Sequence, residues 1–205
     1  MSINESANTE KTNDLRINSV PGVTRVGEFK LGTKPYSGKR HVYHNCKLEF
    51  VKDTSLSTIL YIQKKAIVYI FVVGDVIKKI GKTSGSGGIK ACINFYCSAG
   101  QGDDGPNRFA INWMIREEIQ KGKKVEIYMK YLESISANVP GLFGFKEEHV
   151  VIDPACMEQL SLTEYKERVG KYPDWNFQEC NAPITRIIQM AHTTYKNTRQ
   201  KERNK

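Results

Sequence analysis

The chain has no apolar run long enough to span a bilayer, and its opening, MSINESANTEKTNDLR, lacks the apolar segment a secretory signal needs. The expected protein is therefore soluble and intracellular, with no membrane partner. Cysteine is scarce too: the five present (Cys46, Cys92, Cys97, Cys156, Cys180) are an odd number with no CxxC spacing, which argues against a disulfide framework and a cysteine zinc site. Acidic side chains are in deficit. Lys and Arg outnumber Asp and Glu by 31 to 22, a net charge of +9 that favours a polyanionic partner, with solubility alone as the plain alternative. A phosphate-binding loop is missing as well, because the GKT at 81–83 would need a glycine where Val76 stands, so no nucleotide cofactor is expected.

What is present reads as one α/β unit, since 205 residues suffice for one sizeable core and hardly for two. Residues 1–15 are polar and read as a disordered terminus. Residues 16–65, broken by Pro and Gly, read as an extension of short strands and loops, basic at Lys34, Lys39 and Arg40 and suited to lining a nucleic-acid groove. AIVYIFVV and VIKKI then form a hairpin around Gly74-Asp75. Ile89, Cys92, Ile93 and Tyr96 fall on one helical face; Ile111, Met114, Ile115 and Ile119 predict a second helix that stops at Gly122. In KVEIYMKYLE, Val125, Ile127 and Met129 alternate with Glu126, Tyr128 and Lys130 as in a strand. SANVPGLFGF reads as a connection, EHVVID as a strand, and PACMEQLSLTEYKERVG as a helix with Pro start and Gly stop, its best apolar positions Leu160 and Leu162. Residues 181–205 read as a C-terminal helix with a basic tail from Tyr195, a solvated end or an arm that grips DNA.

VYI at 68–70, KIGKT at 79–83, GIKACINFY at 88–96, KKVEIYMKY at 123–131, a helix with Glu158, and YPDWN at 172–176 follow one another in the order β-β-α-α-β-α. This ordered set, over residues 66–180, resembles the GIY-YIG nuclease family, above all its small type II restriction branch and a phage endonuclease. The resemblance implies a small, mostly antiparallel sheet flanked by helices, and an endonuclease of a prokaryote or phage that cuts double-stranded DNA with Mg²⁺, for which Mn²⁺ may substitute. It also implies a homodimer, because two sites related by a dyad suit a palindromic target. A catalytically impaired binding protein and a nicking nuclease of phage or repair type are the rival expectations.

The resemblance assigns roles that phosphodiester hydrolysis requires: a proton acceptor for water, cations for the phosphate and help for the leaving oxygen. Tyr69 would take the water's proton, through a phenol whose pKa nearby cations lower. Lys79 would assist it. Hairpin geometry leaves a choice. A strict two-residue turn pairs 71 with 78 and puts Lys78 on Tyr69's face; a three-residue loop pairs 71 with 79. The family pattern favours Lys79. Glu158 is the expected metal ligand, with Glu164 as competitor. The family's helix-one arginine is absent near Lys90, so Arg108 is expected on the phosphate, with Lys82 and Lys90 assisting and Tyr96 and Asn176 supplying hydrogen bonds. Beside these stand plainer readings: Tyr69 as core, Glu158 as a solvated helix residue, Trp175 as packing. The trio His41, His44 and Cys46 fits no standard zinc spacing.

Overall fold

The structure is a computed structural model that describes residues 14–35, 46–84, 87–101, 104–132, 135–140, 142–143, 146–151, 153–180 and 183–204. Strands β1 (Thr24–Pro35), β2 (Cys46–Lys52), β3 (Ala66–Val73), β4 (Val76–Ser84) and β5 (Val125–Tyr131) make a five-stranded antiparallel sheet in the order β2-β1-β5-β3-β4. The helices are α1 (Thr58–Ile62), α2 (Gly88–Cys97), α3 (Pro106–Gln120), α4 (Pro154–Val169), α5 (Phe177–Cys180) and α6 (Arg186–Arg203), and β6 (Ile135–Pro140) with β7 (Lys146–Val151) forms a separate two-stranded sheet. The fold class is α/β, and the β-β-α-α-β-α order runs from β3 to α4 with the β6–β7 hairpin inserted before the last helix.

β3 explains the layering. Every one of its eight residues is buried, as its unbroken apolar run requires of a strand covered on both faces. Tyr69, Phe71 and Val73 join Ile127 and Met129 of β5 against Ile89, Ile93 and Tyr96 of α2 and Ile111 and Ile115 of α3. Val68, Ile70 and Val72 point the other way, with Ile77 and Ile80, onto Leu162 and Tyr165 of α4. α6 completes the molecule by laying Ile188, Ala191 and Tyr195 on Phe109 and Ala110 of α3. The helix continues to Arg203, and its residues beyond Tyr195 are exposed or half-buried as expected of a solvated tail, but Tyr195 itself is buried 5.7 Å from the Phe109 ring.

Three further differences have simple causes. The 16–65 segment contributes β1 and β2 to the same sheet, with β5 between β1 and β3; Arg25 knits that junction by ion pairs to Asp53 and to Glu126 at 2.7 Å. SANVPGLFGF contains β6, whose Ser, Ala, Asn and Pro carry little strand propensity and which is strand through its pairing with β7. Leu160 is 64% exposed, whereas Leu162 and Tyr165 form the buried stripe of α4. Lys39 and Arg40, like His41 and His44, lie outside the described residues, and of Lys34 only the backbone is described, in β1.

Candidate active site

Tyr69 projects from β3 toward α2. Its hydroxyl lies 2.9 Å from that of Tyr96, and the thiol of Cys92, one helical turn before Tyr96 on the same face, also meets it. Tyr69, Tyr96, Cys92 and Phe95 line, with Lys82 and Thr83, an open cleft of about 310 Å³ beside strand β4.

The hairpin register decides which lysine joins them. Val73 pairs with Val76 across a two-residue turn in which Gly74 and Asp75 both have positive φ (60° and 96°), the conformation of a type I′ turn. A bulge follows: Val72 pairs with Ile77 and Phe71 with Lys79, leaving Lys78 as the extra residue. The turn is thus the shorter of the two anticipated, yet Lys79 shares the face of Phe71 and Tyr69. Lys78 instead bonds Asp174 at 2.7 Å.

Burial sets the chemistry of the group. It pushes the Tyr69 phenol well above its ordinary pKa, with the neighbouring Cys92 and Tyr96 adding to the rise. Burial dominates here, so the phenol is raised where a lowered one was expected. Burial likewise raises Tyr96, and lifts the Cys92 thiol to about 12. On Lys79 the same desolvation acts in the opposite direction, depressing the ammonium even though Glu179 and Glu158 favour its charge. Lys79 is the member of the cluster that releases a proton more readily than usual.

Glu158 comes from the second turn of α4, which β4 receives at its outer edge. Its Oε2 accepts a 2.7 Å hydrogen bond from Lys82, and its field reaches Lys79 and Tyr96. Glu164 pairs with Arg168 and lines a different cleft, on the α4 side of the sheet. Among the described residues no group of three or more His, Cys, Asp and Glu side chains could hold a metal ion. A lone, partly exposed carboxylate still fits a hard cation such as Mg²⁺, which takes one or two carboxylates and keeps water on its other positions.

Asn176 anchors the edge strand. Its side chain accepts from the Ile80 amide at 2.9 Å and donates to the Ile80 carbonyl at 2.8 Å, while the Trp175 amide donates to the Lys78 carbonyl at 2.8 Å. The PDWN segment therefore pairs with β4 on both sides of Lys79. Trp175 itself is buried, 6.2 Å from the Phe71 ring.

Arg108 sits at the start of α3 with its guanidinium on protein groups: Asp104 at 2.5 Å, the Phe95 carbonyl at 2.7 Å, Ser98 at 2.6 Å and the face of Phe95 at 4.3 Å. Lys90 is exposed on α2. Gly88, with φ of 59°, abuts the Gln63 carbonyl, which a Cβ would approach to 2.1 Å, so this glycine serves chain packing. In the sequence Cys92 stands as an apolar helix position one turn before Tyr96, and its meeting with Tyr69 is a feature of the folded chain. Glu179 carried no signal.

No family model matches the chain, and no curated protein matches it. Among solved structures, a mutant of bacteriophage T4 EndoII overlaps it at 16% identity and a TM-score of 0.46, over 75% of this chain and 91% of that one. The restriction endonuclease HPY188I in complex with product DNA overlaps at 16% identity and a TM-score of 0.39, over 78% and 84%. Overlays this loose leave the functional reading to the chain's own geometry.

Proposed function

We propose that the protein is a metal-dependent endonuclease of GIY-YIG type that hydrolyses double-stranded DNA, as a type II restriction enzyme does. The supporting observation is convergence. Tyr69 of β3 lines an open cleft with the Tyr96 hydroxyl 2.9 Å from its own, and Lys82, which lines the same cleft, is bonded at 2.7 Å to Glu158 of α4, far from Tyr69 in the chain.

In this reading Lys79, already inclined to lose its proton, accepts one from the attacking water. The Tyr69 and Tyr96 hydroxyls, both protonated, orient that water and a phosphate oxygen. Lys82 turns from Glu158 to the phosphate when DNA enters. Glu158 would hold one Mg²⁺, or Mn²⁺ in its place, which supplies Lewis-acid stabilisation of the leaving 3′ oxygen.

The test is digestion of a defined plasmid with Mg²⁺ and sequencing of the ends. Cleavage that Glu158→Ala abolishes while DNA binding persists supports the enzyme. The engaged guanidinium of Arg108 favours one second reading, a nuclease fold kept for DNA binding alone. Wild-type protein that binds DNA and never cuts it would establish that reading instead, and single-strand nicks would indicate a nicking nuclease.

A further inference from the structure

Arg116 of α3 carries its charge into the interior, where the residue is only 3% exposed. A buried guanidinium is ordinarily met by a carboxylate, because the hydration it gives up is returned only by an opposite charge. Here the partners are neutral. Nε donates to Asn112 Oδ1 at 2.8 Å and Nη1 to the Cys46 carbonyl at 3.0 Å, with the Cys46 sulfur 3.8 Å from the same Nη1. Among the described residues no carboxylate pairs with Arg116, and its buried Nη2 has no hydrogen-bond partner. Residues 36–45, which lead into Cys46, contain no Asp or Glu. A buried donor left idle calls for an acceptor. One side chain against the guanidinium can become an anion: Cys46, half-buried at the start of β2 and so open to small solutes.

We propose that Cys46 is an oxidation site, its thiol converted by a peroxide to a sulfinate that Arg116 holds as an ion pair. Reactive thiols sit partly exposed beside a cation, and Cys46 has both features. With hydrogen peroxide the thiolate sulfur loses two electrons in each of two steps. Its lone pair attacks one peroxide oxygen, the S–O bond forms as the O–O bond breaks, and the departing hydroxide takes the remaining peroxide proton and leaves as water. The product carries two oxygens, acceptors for Nη1 and for the idle Nη2, as a carboxylate offers to arginine. Cys97, at the end of α2, also feels the Arg116 charge, but burial lifts its thiol to about 12, which makes it the poorer partner for a disulfide. The proposal stands independently of the nuclease reading. It has a structural consequence all the same: Asn112, held by Arg116, donates to the Tyr96 carbonyl at 2.7 Å, so the guanidinium that would bind the sulfinate also braces the end of α2.

Peptide mass spectrometry of the full chain after peroxide treatment tests this, with thermal unfolding as the second readout. Cys46 should gain two oxygens about 10-fold faster than the exposed Cys156. Peroxide should raise the thermal midpoint of the wild type by at least about 2 °C more than that of Cys46→Ser, which controls for the other cysteines and the methionines. Cys46→Asp, which puts a carboxylate at the same place, should melt above Cys46→Ser, and Arg116→Met should slow the oxidation of Cys46 to the rate of Cys156. Where Arg116→Met does not fold, the order of the Asp and Ser variants decides. Oxidation of Cys46 no faster than that of Cys156 overturns the proposal, as does a midpoint that moves alike in wild type and Cys46→Ser. An Asp variant no more stable than the Ser variant overturns the ion pair. A disulfide between Cys46 and Cys97 in place of the sulfinate overturns it in favour of a dithiol switch.

Discussion

Gly81 lies directly against the ring of Tyr69: a Cβ at that position would stand 2.4 Å from the Cζ atom and 2.5 Å from the hydroxyl oxygen. The two residues are paired across β3 and β4, so neither backbone can retreat without breaking the ladder. Gly81→Ala should displace the phenol, cost about 1–3 kcal/mol of stability, and lower cleavage by at least about 10-fold. Urea unfolding and plasmid digestion measure the two effects. Tyr69→Phe, which removes only the hydroxyl, should lower cleavage with a far smaller effect on stability. Equal effects of both substitutions on stability would contradict this contact.

Lys79 should govern the pH dependence. Its folded pKa lies below the ordinary 10.5 because burial disfavours the ammonium. The neutral amine therefore appears at lower pH than for a free lysine, and cleavage should rise with pH along a limb whose midpoint is under that value. Lys79→Arg keeps the charge but cannot supply the neutral form, and should lose roughly 100-fold or more in rate. A rising limb that persists unchanged in Lys79→Arg would remove Lys79 from the role.

The two carboxylates of α4 should separate cleanly. Glu158→Gln should abolish cleavage, whereas Glu164→Gln, which breaks only an exposed pair with Arg168, should leave it within about 2-fold. Digestion of the same plasmid compares them. Titration with Mg²⁺ should show a higher requirement for any residual activity of Glu158→Gln.

Asn176→Ala removes both partners of the Ile80 amide and carbonyl at a buried edge. The expected loss is about 2–4 kcal/mol, one unsatisfied backbone group after the other. Urea denaturation measures it, and hydrogen exchange should locate the loosening in β4. A loss below about 1 kcal/mol would mean that water replaces the amide there.

Asp53 supplies an acid-side signature. The Ser55 amide, the Arg25 guanidinium and the Ser55 hydroxyl hold its carboxyl at about 2, below the ordinary 3.8. A depressed folded pKa means stability that is present above 3.8 and is lost as pH falls toward 2. Asp53→Asn should flatten thermal stability against pH in that window while leaving the neutral-pH profile otherwise parallel.

Local pattern carried the helices and strands with a clear period. The stripe of α2 and the alternation of β5 were legible because each residue's burial follows from its own neighbours. The lysine register was half legible. Gly74-Asp75 signals a two-residue turn, and a lone turn would have turned Lys79 away; the bulge at Lys78 restores it, and a bulge leaves no mark in this run of Val, Ile and Lys. The pKa of Tyr69 was illegible for a different reason, since it depends on how much water the packed α2 face excludes, which no spacing encodes. Arg108 could be placed near the cleft from sequence, but its engagement with Asp104, Phe95 and Ser98 arises only when the α2–α3 turn closes.

The position of β5 has a consequence for how the chain is made. β1–β2 and β3–β4 are hairpins of short span that emerge early, yet they share no edge; only β5, whose last residue is Tyr131, lies between them. A nascent chain shorter than that holds two half-sheets with open inner edges. On a ribosome those edges are the ones a chaperone has to cover, and a chain truncated before β5 would be prone to aggregate through them.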